Sequence, residues 1–180
     1  MSGRFIAIVG PSGVGKDSVM ESLAARDPRL GLVRRVITRP GDAGGEDFDG
    51  VTPDEFHARA AQGDFALTWP AHGLHYAIPA SVVDDLAAGR DMLANLSRAA
   101  LPAAKAQFDS FMVIRLTAER DVLAQRLAAR GREAADDIAR RLARADDALP
   151  DGIAAASVDN SGDLDATVAR ILTLLYPVKV

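Results

Sequence analysis

Five consecutive apolar residues, Phe5-Ile6-Ala7-Ile8-Val9, run directly into Gly10-Pro11-Ser12-Gly13-Val14-Gly15-Lys16-Asp17, after which Val19, Met20, Leu23 and Ala24 recur at helical spacing. The order strand, glycine-rich loop, helix constrains this chain more than any other stretch, because the backbone must turn sharply between a buried strand and the first turn of a helix. The three loop glycines permit that turn and let backbone N–H groups approach an anion closely. The helix dipole and the free amides of its first turn favour the same anion. Lys16 adds a point charge suited to the outer phosphates of a nucleoside triphosphate. Gly10, Pro11, Ser12, Gly13, Val14, Gly15, Lys16, Asp17 and Ser18 are therefore the expected ATP-binding set. The alternative is a glycine-rich turn that binds nothing.

One position departs from that loop pattern. Asp17 stands where a Ser or Thr hydroxyl normally holds Mg²⁺. A carboxylate facing a phosphate charge at about 4 Å is repelled by about 4 kcal/mol at an effective dielectric of about 20. Asp17 therefore faces a cation or turns away from the phosphates. Oxygen ligands suit Mg²⁺, so Asp17 reads as its ligand, direct or through water. The alternative is an exposed acid that merely suits the helix dipole. Ser18 is no simple substitute, since one step along a helix rotates a side chain by about 100°.

With 180 residues, 48 % of them hydrophobic and 26 % charged, the chain suffices for a single domain with a full core. A net charge of −4 supplies no global basic field for nucleic acid or an anionic membrane. The absence of cysteine excludes disulfides and thiol catalysis and fits a reducing cytoplasm. No apolar run reaches membrane-spanning length, and the first strand is too short for a secretory signal before its glycines begin.

Apolar runs at Phe5–Val9, Leu32–Ile37, Met92–Leu96, Phe111–Leu116 and Ala154–Val158 alternate with helical patterns at Lys16–Arg26, Ala118–Ala129, Ile138–Ala148 and Leu164–Leu175. That alternation predicts an α/β fold, a parallel sheet flanked by helices. The character changes between residues 40 and 90. Thr52-Pro53-Asp54-Glu55 combines an N-cap, a first-turn proline and a capping-box acid, predicting a helix to about Gln62. Phe65–Trp69 and His75–Ile78 flank His72-Gly73 and predict a hairpin. The expected division is a core over 1–38 and 90–180, a substrate-binding insertion over about 39–89, and a lid over about 129–137.

Arg35 and Arg39 end the second predicted strand, where open α/β sheets place their ligands. Arg39 with the acids of Asp42-Ala43-Gly44-Gly45-Glu46-Asp47 can clamp a phosphate on one side and sugar hydroxyls on the other, or form a solvated loop. Most arginines among Arg120, Arg126, Arg130, Arg132, Arg140, Arg141 and Arg144 read as exposed helix charges paired with nearby acids. Arg130-Gly131-Arg132 falls at a break between two helices and suits a lid that closes over transferring phosphate. The three histidines, His57, His72 and His75, lack metal-ligand spacing.

These residues together resemble the guanylate kinase family over nearly the whole chain, anchored by the glycine-rich loop, by Thr38-Arg39-Pro40, and by Arg126-Leu127 through Arg130-Gly131-Arg132 to Ile138-Ala139-Arg140-Arg141-Leu142. The resemblance implies a P-loop kinase fold with a small substrate-binding insertion and an arginine-rich lid. The family's base-reading positions differ: its guanine-binding glutamate falls on Leu67, a serine on Pro79, and two acids on Asn95 and Ser97. A site lacking partners for a buried base discriminates against it by about 10⁴-fold. Those departures are similar to a narrower family, the ribose 1,5-bisphosphate phosphokinases of bacterial phosphonate degradation, through Gly15-Lys16-Asp17-Ser18, Ala43-Gly44-Gly45-Glu46-Asp47, Asn95-Leu96-Ser97-Arg98, Gly131-Arg132-Glu133 and Asn160-Ser161-Gly162.

That resemblance implies ATP-dependent phosphorylation of ribose 1,5-bisphosphate to phosphoribosyl diphosphate, with ATP and Mg²⁺ as cofactors. It implies Lys16, Arg130 and Arg132 as catalytic groups and Asp17 as metal ligand. Arg35, Arg39, Glu46, Asp47, Tyr76, Ser97 and Arg98 are the implied substrate contacts, and Asn160 the adenine contact. The expected partner is a small sugar phosphate, not nucleic acid or membrane; a homodimer is compatible, and the sequence leaves the oligomeric state open. The competing readings are a guanylate kinase with altered base contacts and a non-catalytic guanylate-kinase-like binding module.

Overall fold

The computed structural model describes residues 1–42, 45–131, 134–144 and 148–179. In chain order the first elements are β1 (Phe5–Val9), α1 (Lys16–Arg26), β2 (Leu30–Leu32), β3 (Val36–Ile37), β4 (Asp49–Gly50), α2 (Pro53–Ala61), β5 (Phe65–Ala71) and β6 (Leu74–Pro79). There follow α3 (Val82–Ala87), β7 (Asp91–Asn95), a 3₁₀ turn (Arg98–Ala100), α4 (Leu101–Gln107) and β8 (Phe111–Thr117). The last elements are α5 (Arg120–Ala129), α6 (Ala135–Arg144), β9 (Ala156–Asp159) and α7 (Leu164–Leu175).

Five strands form a parallel sheet in the order β2-β7-β1-β8-β9, with β1 central. Because side chains alternate across a strand, the all-apolar β1 feeds two cores at once. Phe5, Ala7 and Val9 enter one, while Ile6 and Ile8 enter the other with Val19, Leu23, Ile114 and Val168. The first core extends beyond the central sheet to Ile37, Phe48, Trp69, Tyr76 and Ile78. Those residues belong to or adjoin a second sheet, β4-β3-β6-β5, in which β6 pairs antiparallel with β3 and β5. One shared core thus fixes the second sheet beside the first.

The predicted strand Leu32–Ile37 divides in two. Its first part pairs with β7 in the central sheet and its last part with β6 in the second. Arg34-Arg35 interrupts the apolar run, and the chain crosses between sheets there. Arg35 therefore sits at a junction of sheets and not at the end of one long strand. The predicted helix Ile138–Ala148 starts earlier, at Ala135. Helices α3 and α4 have too few apolar repeats to stand out in the sequence.

The local signals for α2 and the hairpin act as expected. Thr52 Oγ1 accepts from the Glu55 amide, Glu55 returns a hydrogen bond to the Thr52 amide, and Pro53 opens the helix. His72 and Gly73 both take positive φ, 51° and 73°, which closes the β5–β6 turn with a twist that suits the strands. Among the described residues, no helix is long and apolar enough to cross a membrane.

Candidate active site

The loop after β1 and the residues after β7 meet at the carboxyl ends of the parallel strands. Gly13 and Gly15 adopt φ of 85° and 95°, where a side chain would be strained. Gly15 is the N-cap of α1 and offers no side-chain cap, so the first amides of that helix lack a protein acceptor of the usual kind. Lys16 Nζ donates to the Gly10 carbonyl at 2.7 Å and to the Pro11 carbonyl at 3.4 Å. Burial pushes the Lys16 amine down to about 8, with Arg35 and Arg130 adding to the shift and Asp17 and Glu46 opposing it. A half-buried cation close to two arginines, beside uncapped helical amides, has the chemistry of an anion cradle. The loop therefore fits a polyphosphate.

The loop is braced from behind. Asn160 is 4 % exposed; its Nδ2 donates to the Val14 carbonyl at 2.8 Å and its Oδ1 accepts from Thr167 Oγ1 at 2.6 Å. Arg126 donates to the Val14 carbonyl at 3.2 Å and to the Asn160 carbonyl at 2.7 Å. The buried amide of Asn160, the expected adenine contact, is used at both ends to hold the loop. Arg126, which the sequence offers only as one of a group of mostly exposed helix charges and as an anchor of the resemblance, is part of the same brace. Its position one residue before the buried Leu127 was the available signal.

A cleft of about 850 Å³ opens in front of the loop, lined by Gly10, Ser12, Lys16, Arg35, Tyr76, Asn95, Ser97 and Arg98, with His72 and Asp151 also contributing. Arg35 is 7 % exposed. Its guanidinium forms an ion pair with Glu46, donates to the Asn95 carbonyl at 3.2 Å and lies 4.9 Å from the Tyr76 ring centroid. Trp69 and Tyr76 stack at 5.5 Å between centroids, and Trp69 Nε1 donates to Ser97 Oγ at 2.9 Å. Arg98 donates to the Ala148 carbonyl at 3.2 Å. The structure therefore gathers Lys16, Arg35, Tyr76, Ser97 and Arg98 around one opening.

Other expected site residues fall elsewhere. Asp17, Glu46 and Asp47 line a separate, smaller cleft of about 100 Å³, with Arg34. Burial, followed by the nearby Glu46 charge, raises the Asp17 carboxyl above the usual aspartate range against the pull of Lys16, Arg35 and Arg130. Two repelling carboxylates beside a polyphosphate loop form an oxygen-only donor pair that a hard divalent cation would relieve, so the donor chemistry fits Mg²⁺. Asp47 pairs with Arg34 at 3.2 Å. Arg39 lies outside the lining of the large cleft, its guanidinium 4.2 Å from the Phe48 ring centroid and its buried Nε without a hydrogen-bond partner among the described residues. Of the acids expected to act with Arg39, Glu46 pairs with Arg35.

Ser18 is exposed and lines neither cleft. Arg130 caps α5, exposed yet close enough to act on both Lys16 and Asp17. Arg132 lies outside the described residues, as do Ala43 and Gly44. His57 and His75 rings meet edge-on at 5.3 Å beside Phe56, away from the cleft lining. Where the resemblance predicts base-reading groups, Leu67 is 8 % exposed in the shared core and Pro79 pairs with Phe65 at the end of the hairpin.

No family model matches the chain. It is 51 % identical to the ribose 1,5-bisphosphate phosphokinase PhnN of Ruegeria sp. over 174 residues, covering 96 % of this chain and 92 % of that one. The chain belongs to the ribose 1,5-bisphosphate phosphokinase family. The enzyme of that name from Pseudomonas fluorescens is 47 % identical over 182 residues, covering 97 % and 96 % of the two chains. Among solved structures, guanylate kinase from Anaplasma phagocytophilum superposes with a TM-score of 0.69 at 17 % identity, over 97 % of this chain and 85 % of that one. The fold of this phosphokinase-family chain is thus guanylate-kinase-like. The apolar Leu67 and Pro79 are in keeping with a family named for a substrate without a base.

Proposed function

We propose that this chain transfers the γ-phosphoryl group of ATP to the 1-phosphate of ribose 1,5-bisphosphate, giving 5-phosphoribosyl 1-diphosphate and ADP. The observation that carries this reading is the large cleft, whose lining includes Lys16 and the phosphate loop together with Arg35, Ser97 and Arg98, while Leu67 and Pro79 offer nothing to a nucleobase. Membership of the phosphokinase family supports it. An oxygen of the 1-phosphate forms the new bond to the γ-phosphorus as the bond from that phosphorus to the β,γ-bridging oxygen breaks. The acceptor's second pKa is about 6, so at neutral pH it is already a dianion and needs no general base. Catalysis then consists of holding two anions in line and neutralising their charge.

In this assignment the Gly10–Gly15 backbone and Lys16 hold the ATP phosphates, and Arg126 with Asn160 keeps that loop in shape. Arg35 and Arg98 hold the acceptor phosphates. Arg130, and Arg132 beyond it, close over the reaction. Mg²⁺, held by Asp17 with Glu46 nearby, would neutralise the outer phosphates when bound. The segment from about 39 to 89 serves as the substrate-binding part, and the reaction belongs to the cytoplasm, where ATP and sugar phosphates are kept.

The test is incubation of the chain with ATP, Mg²⁺ and either ribose 1,5-bisphosphate or GMP, with products followed by phosphorus NMR. A new diphosphate in the ribose sample alone is expected. GDP formation, or no transfer to the ribose compound, would overturn the proposal.

A further inference from the structure

Trp69 is the only tryptophan in the chain, is 5 % exposed, and lies on β5 of the second sheet. Its indole N–H is a donor and cannot accept, so the 2.9 Å contact with Ser97 Oγ has one possible sense: Trp69 gives and Ser97 receives. Ser97 precedes the 3₁₀ turn Arg98–Ala100, where a serine hydroxyl commonly caps free amides. Here it makes no side-chain cap, and the Ala100 amide is met by the Ser97 carbonyl at 3.0 Å. With a lone pair engaged by the indole, the hydroxyl proton is left without a protein acceptor among the described residues, on a half-buried side chain lining the large cleft.

The indole itself has little freedom to turn. It stacks on Tyr76 at 10° between planes and packs in the core shared by both sheets. Its fixed N–H therefore sets the polarity of Ser97 and aims a donor into an opening whose lining includes Lys16, Arg35 and Arg98. Three cations against the single carboxylate Asp151 in that lining favour an anionic acceptor, even with Arg35 paired to Glu46. We infer that Trp69 is a positioning residue which presents the Ser97 hydroxyl as a hydrogen-bond donor to a phosphate oxygen of the acceptor sugar. This inference rests on the function proposed above and adds a residue of the second sheet to the acceptor site.

The single indole N–H makes the test direct. In protein carrying ¹⁵N-tryptophan, ribose 1,5-bisphosphate is expected to shift the one indole resonance, ADP alone to leave it nearly in place, and Ser97→Ala to abolish the response. In steady-state assays Ser97→Ala should raise the acceptor KM by about 10-fold, as for one hydrogen bond to a charged group, with the ATP KM unchanged. Trp69→Phe should raise the acceptor KM by about 3- to 10-fold, and the double variant should be no worse than Ser97→Ala alone. Multiplying effects, or an ATP KM that moves equally, would overturn the positioning role. If Trp69→Phe fails to fold, the indole shift in wild type and Ser97→Ala still decides. A wild-type chain inactive on ribose 1,5-bisphosphate would overturn the proposed function and this inference together, whereas an active wild type with an unresponsive indole would overturn this inference alone.

Discussion

The two ends of the central sheet treat their charges in opposite ways. At the amino ends of the strands, Asp91 opens β7 and collects the Arg4 amide at 2.7 Å, the Arg4 guanidinium at 2.7 and 3.2 Å, and the Tyr176 hydroxyl at 2.7 Å. Burial opposes its ionisation, but the hydrogen bonds from Arg4 and Tyr176 together outweigh burial and hold the carboxyl below the usual aspartate range. The same bond to Asp91 raises Arg4, and burial with the Asp91 hydrogen bond pushes Tyr176 up to about 12. At the carboxyl ends, Lys16 is pushed down and Asp17 up, each toward losing its charge. One end has charges the fold satisfies. The other has charges that await a ligand, and that asymmetry separates stability from function within one sheet.

The contrast breaks first at Lys16. Lys16→Ala is expected to lower kcat/KM by about 10² to 10³-fold, the effect of losing one preorganised donor at a site of developing charge. The melting temperature should hold or rise, because a partly desolvated cation is removed; a large fall would show that Lys16 is structural. Asp91→Asn should do the reverse, costing about 2 kcal/mol in denaturant unfolding while leaving kcat/KM intact. Loss of activity at full stability would place Asp91 at the wrong end of the account.

Asn160→Ala should show both behaviours, since it removes the shorter of the two hydrogen bonds that hold the Val14 carbonyl and the nearest acceptor of the Thr167 hydroxyl. About 1–3 kcal/mol of stability is expected to go, together with a higher ATP KM and an unchanged acceptor KM. An unchanged ATP KM would remove the brace.

The smallest effects are in pH. Asp91 is lowered on folding, so its contribution is present above the ordinary aspartate range and fades as pH falls through its folded value. Tyr176 is raised, so its contribution is present below pH 10 and fades as pH climbs toward about 12. Tyr176→Phe should cost about 1 kcal/mol near neutral pH and remove only the alkaline loss. Denaturation profiles against pH check both limbs. In activity, kcat/KM for ATP should fall as pH rises through about 8, where free Lys16 loses its proton.

The central sheet and the phosphate loop were legible because each has a local signature. An apolar strand, glycines and Lys16 appear in consecutive residues, and the capping box of α2 and the turn at His72-Gly73 are equally local. Strand Leu32–Ile37 was misread because pairing partners decide which sheet a residue joins, and those partners lie far along the chain. The same limit hid the roles of Asn160, Arg126 and Trp69. Each acts through one long-range hydrogen bond or more, across 146, 112 and 28 residues respectively, that no periodicity encodes. Arg39 illustrates the converse: a motif placed it near Arg35, and packing on Phe48 took it out of the cleft lining.

The central claim is that this cleft receives a sugar bisphosphate and rejects a nucleobase. Its most direct test is the ratio of kcat/KM for ribose 1,5-bisphosphate to kcat/KM for GMP, measured with saturating ATP and Mg²⁺. With Leu67 and Pro79 where base-reading groups would stand, the ratio should be about 10⁴ or more. A ratio near one, or one that favours GMP, would contradict the account.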